Sequence, residues 1–418
     1  MSSARNSPTG HGDVSKPSPL AGVRVADFTW VWAGPHCTQQ LAHLGAEVIR
    51  VESTARPCVT RMLPPFADFE PGPNRSGYFN QYNQGKRSLT LDLKHPDGLE
   101  VARRLCAASD VVVENFAAGV MERIGLGYDV LQRLRANVIM ISLSGYGATG
   151  PDHDKVSYGP AQVPLSGMSS LTGYRNHPPM HVGVSYGDPT AGLHGAVAVL
   201  AALLHRARTG AGQHIDLSQW ETSIVVLADA LIAQQLTGRP PARDGNRHPR
   251  MAPHGIFPAA GEDRWIAITA EDDEAWRRLA VQMGRPELVA DPRFAGLAAR
   301  KDNEDILEEI VGAWTATHEP DALTARLQGA GVAAHTVATN RDLSESAHLE
   351  AAGAFTRQPH PEVGQRQHLG PPWRTTRLAS RATSAAPCAG ADTDDILRTV
   401  CGYDDPAIAR LRAAGTLT

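Results

Sequence analysis

The sequence predicts an α/β protein, a parallel-sheet large domain joined to a smaller α+β domain. Three observations carry this prediction. Short β-branched runs alternate with helix-length segments between residues 20 and 145, the pattern of a parallel sheet with helices on both faces. The turns between them hold residues that open and close helices, as in Ala33-Gly34-Pro35 and at Gly45. At 418 residues the chain has room for two or three domains of about 150 residues each.

Val23, Val25 and Phe28 make the first buried strand. Pro35 opens a helix through Gln39, Leu41 and Leu44 that ends at Gly45. Residues 47–52 form the next strand and complete a βαβ unit, Rossmann-like but without the G-x-G-x-x-G dinucleotide fingerprint. Residues 53–85, rich in Pro, Gly, Arg and aromatics, read as a long loop. The alternation then resumes: strand 88–93, helix 96–108 opened by Pro96, strand 111–113, helix 129–135 and strand 138–143. Ligands of such sheets sit beyond the carboxyl ends of the strands, which points to the loops after Phe28, Val51, Val113 and Leu143. Residues 145–151 (GYGATGP) form a glycine-rich loop after a strand, a pattern more often structural than phosphate-binding. Residues 191–208 form a helix apolar nearly all round, expected to be buried, with Gly210 as its C′ residue. A strand at 214–217 follows. Composition changes near Pro240. A strand at 264–269 and helices around 275–283 and 305–315 give a small α+β domain at 230–335. Residues 18–229 are the large domain, and 336–418 a linker and return to it that ends in a short helix near 406–414.

The chain carries 40 Lys+Arg against 44 Asp+Glu, a balance that argues against a nucleic-acid partner. The five cysteines, Cys37, Cys58, Cys106, Cys388 and Cys401, show no CxxC. Neither a zinc ribbon nor a disulfide framework is indicated, and a reducing compartment fits best. Residues 1–17 are polar, lack the apolar core of a signal peptide and read as a disordered tail. The longest apolar stretch, 191–204, is shorter than the roughly 20 residues that span a bilayer. A cytoplasmic protein without a membrane partner is the expectation.

Among residues able to carry chemistry, Asp188 is the most informative. Followed by Pro189 at a helix start, it reads either as an N-cap or as a carboxylate held ionised at the positive end of a buried helix. An ionised aspartate is a covalent nucleophile suited to thioesters, which are more electrophilic than amides. His181, His248 and His254 lack metal-ligand spacing, so no metal site is expected. Ser142 and Ser144 do not fit G-x-S-x-G.

Several segments taken together resemble the family III CoA-transferases, the group that includes formyl-CoA:oxalate and carnitine CoA-transferases. They are ADFTWVWAGP (26–35), LGAEVIRVE (44–52), NQGKRSLTLDLK (83–94), VENF (113–116), SGYGATGP (144–151), Gly187-Asp188 with its helix, and TGAGQ (209–213). Their order and spacing match over roughly residues 20–415. The resemblance implies a nucleophilic role for Asp188 and an interlocked homodimer whose large domain is built from both chain ends. It implies a CoA thioester as substrate, a small carboxylic acid as partner, and no permanently bound cofactor. CoA would lie along the carboxyl edge of the sheet. Positions matching the family's CoA contacts are Val31, Trp32, Ala33, Leu91, Lys94, Asn115, Phe116 and Arg123, with Tyr158 near the thioester end. Lys94 and Arg123 suit phosphates by charge, or are solvated surface cations.

The sequence also departs from the family pattern. Trp32 stands where oxalate-using members carry a glutamine, and would narrow and desolvate the acyl pocket. Ser53 stands where they carry a CoA-binding arginine, which leaves Arg50 and Arg56 as candidates. A glycine-run loop is replaced by residues 244–255, whose Arg247, His248, Arg250 and His254 fit either a carboxylate-binding loop or a basic surface loop. Two other functions stay open at this point. The family's α-methylacyl-CoA racemases use a histidine where this chain has Tyr158, a poor base at neutral pH with a pKa of about 10. A CoA-binding protein without catalysis is the other.

Overall fold

Six strands, all paired in parallel, build the central sheet: β1 (Arg24–Asp27), β2 (Glu47–Glu52), β3 (Lys86–Thr90), β4 (Val111–Glu114), β5 (Ile139–Ser144) and β6 (Gln213–Ser218). The structure is a computed structural model and describes residues 16–418; all but the last two residues of the tail expected at 1–17 lie outside them. The strand order is β3-β2-β1-β4-β5-β6, the doubly wound arrangement. Its direction reverses between β1 and β4, so a crevice opens where the loops after these two strands diverge.

Both faces of the sheet are covered, which is why Val25 and Ala26 of β1, Val111, Val112 and Val113 of β4 and Ile139, Met140 and Ile141 of β5 form apolar runs. Val25, Val111, Val113, Ile139 and Ile141 pack under the helices Ala33–His43 and Gly187–Thr209. Ala26, Ile49, Val112 and Met140 face the helix Pro96–Ala107 and the carboxyl-terminal helices Thr393–Thr399 and Asp405–Ala413.

The stretch 53–85 is not one continuous loop. It holds 3-10 turns at Val59–Met62 and Ala67–Phe69 and a helix at Gly77–Tyr82, whose Ser76 cap accepts the Phe79 N–H. A buried ion pair, Arg61 with Glu52 at 2.7 Å, ties it to β2, and the Arg61 guanidinium lies 3.6 Å from the centre of the Phe79 ring. β3 starts two residues earlier than the sequence suggests, at Lys86, whose ammonium is buried against Asp27 at 3.1 Å.

The long helix also differs from expectation. It begins at Gly187, runs to Thr209, and is long and apolar enough by length and composition to cross a bilayer. Small residues seat one face: a Cβ on Gly192 would stand 2.8 Å from the Ala33 carbonyl oxygen, and one on Gly195 would stand 2.9 Å from Leu143. The opposite face is not buried in this chain. Leu193, Val197 and Leu204 are about half exposed or more.

A second compact unit comprises Ser170–Met180 and Pro240–Ala347. Its antiparallel sheet, β7 (His254–Pro258), β8 (Trp265–Thr269) and β9 (Ala333–Thr336), packs on the helices Asp273–Gln282, Glu304–Thr315 and Pro320–Gly329 around Trp276, Leu279 and Leu307. The helix Ala228–Thr237 and residues 348–418 belong to the first unit.

Candidate active site

The site is built at the crevice between β1 and β4. Beyond β1, Asn115 clamps the Trp30 backbone from both sides: its Oδ1 accepts the Trp30 N–H (2.7 Å) and its Nδ2 donates to the Trp30 carbonyl (2.8 Å). The next residue, Val31, is held at φ 61°, a left-handed conformation that a β-branched side chain rarely adopts, and its N–H points to Cys58 Sγ at 3.3 Å. This turn gives two tryptophans different surroundings. Trp30 faces the guanidinium of Arg56, 5.3 Å from its ring centre. Trp32 packs against Tyr78 (5.7 Å) and Tyr82 (5.1 Å).

The opposing wall is the start of the helix Gly187–Thr209. Asp188 lies inside its first turn; Tyr186 is the N-cap residue and makes no side-chain cap bond. The N-cap reading of Asp188 is therefore wrong, because Gly187 extends the helix one residue further than the Asp-Pro pair suggests. The carboxylate is free for other work. It is 6% exposed, and the Ala33 N–H donates to it. Burial pushes its carboxyl up to about 7, opposed by the Ala33 N–H. The backbone of Gly159 covers it so closely that a Cβ there would overlap the carboxylate. The same charge, after burial, contributes to raising the Tyr78 and Tyr82 phenols, which places both rings near Asp188.

A cavity of about 360 Å³ opens on Asp188 and brings together Val31, Asn115, Phe116 and Tyr158 from the sequence-derived set. Ala33 touches the site through its N–H, and Trp32 through the tyrosines. Leu91 is buried in the hydrophobic cluster against which Phe116 packs. Lys94 and Arg123 are exposed and do not line this cavity. Arg50 is fully buried on Glu52 (3.3 Å) and Asn83 (3.2 Å), whereas Arg56 lines the cavity. In the second unit Arg247 is held by Asp305 and by both oxygens of Glu308 (2.9 and 2.7 Å), so its guanidinium is already spent on internal carboxylates.

Trp30, Tyr78, Tyr82, Gly159 and Gln219 escaped the sequence reading, which named Arg56 only as an alternative to Arg50. Gln219 follows β6; its Nε2 donates to the Leu143 carbonyl (3.0 Å), and its buried Oε1 has no partner among the described residues. The i, i+4 spacing of Tyr78 and Tyr82 was the one available signal for a shared helical face.

A carboxylate buried at a helix start, opening on a cavity at the switch point of a doubly wound sheet, fits acyl chemistry on a long ligand. The description of CoA-transferase family III matches residues 20–393. The chain belongs to this family. A succinyl-CoA--D-citramalate CoA-transferase from Chloroflexus aurantiacus is 33% identical over 401 residues, covering 95% of this chain and 98% of that protein. A succinate--glutarate CoA-transferase from Agrobacterium fabrum is 35% identical over 310 residues, covering 73% and 77%. The crystal structure of a CAIB/BAIF family protein from Brucella suis superposes with a TM-score of 0.85 at 32% identity, covering 92% of this chain and 100% of that one. This family III member is thus an enzyme that moves CoA between an acyl-CoA and a carboxylic acid.

Proposed function

We propose that this family III CoA-transferase works through a covalent aspartyl intermediate on Asp188, with short dicarboxylic acids as donor and acceptor. The observation that carries the mechanism is the setting of Asp188: a buried carboxylate opening on the cavity, with a pKa raised to about 7. Desolvation makes a carboxylate a stronger nucleophile while leaving a large fraction ionised at neutral pH. The substrate class follows the names of the relatives, which act on succinyl-CoA, succinate, glutarate and citramalate.

In the reaction, an Asp188 oxygen attacks the thioester carbonyl. The C–S bond breaks, leaving a mixed anhydride and CoA thiolate. The thiolate attacks the aspartyl carbonyl of the anhydride, releases the donor carboxylate and forms an aspartyl-CoA thioester. The acceptor carboxylate attacks that thioester and again expels thiolate. Thiolate then attacks the acceptor acyl carbonyl, and Asp188 is regenerated as a carboxylate. No net proton is consumed and one thioester replaces another. The Ala33 N–H, already directed at Asp188, is placed to stabilise negative charge developing on its oxygen. Trp32, Tyr78 and Tyr82 form the acyl side of the site, and the cavity on the Trp30 side takes the CoA arm.

We further assign the chain to a homodimer in the cytoplasm. The helix Ala228–Thr237 buries none of its residues although Leu231, Ile232 and Leu236 are apolar, and it follows the long helix whose Leu193, Val197 and Leu204 are bare. A second, interlocked copy would cover these surfaces. Unpaired cysteines, four of them buried, suit a reducing compartment.

The test is incubation with succinyl-CoA and related thioesters in the presence of hydroxylamine, followed by peptide mass spectrometry. A hydroxamate on Asp188, absent without thioester and absent in Asp188→Ala, is the expected result. CoA binding and turnover with no label on Asp188 would overturn the covalent route.

A further inference from the structure

One buried carboxylate beside the cavity has no part in the transfer chemistry. Glu114 is the last residue of β4 and is 5% exposed. The three residues that follow it, Asn115, Phe116 and Ala117, line the cavity. Glu114 Oε2 accepts the Phe116 N–H at 2.7 Å. That N–H lies past the last ladder pair of β4, and among the described residues it has no other acceptor. The side chain thus bends back on its own chain and closes a tight turn from Glu114 to Phe116.

The residues inside this turn carry the link to the opposite loop. Asn115 makes both of its bonds to the Trp30 backbone. A Cβ on Gly34 would stand 3.1 Å from Asn115 Cγ, so the amide is packed as well as bonded. Phe116 packs on the hydrophobic cluster of the sheet and faces the cavity. Releasing the Phe116 N–H would leave a buried donor unpaired and free the turn that aims both side chains.

The hold does not depend on charge. Burial pushes the Glu114 carboxyl up to about 7 against its Ser142 and Phe116 bonds, with Glu122 and Asp216 adding to the rise. Ser142 Oγ also lies 3.0 Å from His214 Nε2. A hydroxyl both donates and accepts. Ionised Glu114 accepts from Ser142, whose oxygen then takes the His214 N–H. Protonated Glu114 donates to Ser142, which in turn donates to the imidazole. In both states a carboxyl oxygen remains for the Phe116 N–H.

We propose that Glu114 is a positioning residue for the acyl-CoA donor: through the Phe116 N–H it sets the turn that presents Asn115 and Phe116 to the cavity. This rests on the reading of the cavity as the CoA channel. It does not depend on Asp188 being the nucleophile.

The experiment measures kcat and the KM of donor and acceptor in wild type, Glu114→Gln, Glu114→Met and Phe116→Ala. The donor is the most active thioester of the succinyl-CoA series. Methionine matches the length of the side chain and suits a buried site, but offers the N–H only a weak acceptor. Glu114→Met is expected to raise the donor KM about 10-fold, with kcat and the acceptor KM little changed, the pattern of uniform binding lost for one substrate. Glu114→Gln keeps an acceptor for Phe116 and a donor for Ser142, and should behave as wild type. Glu114→Ala is the second deletion of the acceptor, used should the methionine variant not fold. A raised donor KM in Phe116→Ala but not in Glu114→Met overturns the proposal and leaves the channel reading standing. An unchanged donor KM in both overturns the two together. Equal KM rises for donor and acceptor, or a glutamine variant as impaired as Glu114→Met, also overturn the role assigned to Glu114.

Discussion

The backbone of Gly159 lies against the Asp188 carboxylate with no space for even one more carbon. Gly159 has no left-handed conformation to explain its identity, so contact alone requires glycine here. Any side chain would push the carboxylate or the helix Gly159–Leu165 aside. Gly159→Ala is therefore expected to lower kcat by about 100-fold, since small misplacement of a reacting group is that damaging. The overall fold should survive, as judged by an unchanged circular dichroism spectrum. Near-normal turnover by this variant would show that the carboxylate has more room than the geometry gives.

Beneath the site, Asp27 and Lys86 form a buried pair at 3.1 Å, with Thr38, Pro35 and Asn83 completing their hydrogen bonds. Burial alone would raise the Asp27 carboxyl, but Lys86 and Arg50 outweigh it and hold it below its usual range. Lys86→Met removes the partner and leaves an uncompensated buried charge. The expected loss is about 3–5 kcal/mol in urea unfolding at pH 7. In that variant Asp27 takes up a proton on folding, so the deficit should shrink toward pH 5. Adding Asp27→Asn should recover much of the loss. A Lys86→Met protein as stable as wild type at pH 7 would show that the pair contributes nothing to the fold.

How far the sequence reveals this site depends on the range of each interaction. The strands were legible because Val111-Val112-Val113 is an apolar run whose two-sided burial leaves a local mark, and because Val48, Ile49 and Val51 supply β-branched residues within 47–52. Asp188 was legible as a candidate through its position before a long apolar helix, but its place within the first turn was not. Trp30 and Arg56 meet only because the loops after β1 and β2 converge, and nothing local announces that. Tyr78 and Tyr82 were hidden in a segment whose prolines and glycines mask a six-residue helix. The outer face of Gly187–Thr209 misled for the opposite reason: its apolar residues reported burial that a single chain does not supply.

Trp32, Tyr78 and Tyr82 form a triangle of rings: Trp32 is 5.7 Å from Tyr78 and 5.1 Å from Tyr82, and the two tyrosines are 5.7 Å apart. Three rings in mutual contact leave little room on the acyl side. Trp32→Gln removes one wall and should shift preference toward longer acyl chains. Pockets discriminate about 10- to 200-fold per methylene, so the adipyl-CoA to succinyl-CoA ratio of kcat/KM is expected to rise about 10-fold. An unchanged ratio would remove Trp32 from the acyl pocket.

Asp188 itself links activity and stability through one pKa. Its carboxyl ordinarily titrates near 3.8 and is lifted to about 7 in the folded chain. Attack requires the ionised form, so single-turnover acylation should rise with pH through about 7 and level off above it. Stability has the opposite sign. Below 3.8 the group is neutral in both states; between 3.8 and about 7 the unfolded chain loses its proton first, so the fold is progressively weakened as pH rises. Above 7 the deficit is constant. Asp188→Asn keeps the shape without the charge and should escape the deficit. Its stability relative to wild type should grow from pH 4 to pH 7 by roughly 1.4 kcal/mol for each pH unit climbed, reaching a few kcal/mol. Parallel denaturation curves for the two proteins at every pH would mean that the carboxylate is not held out of water, and its heightened nucleophilicity would lose its physical basis.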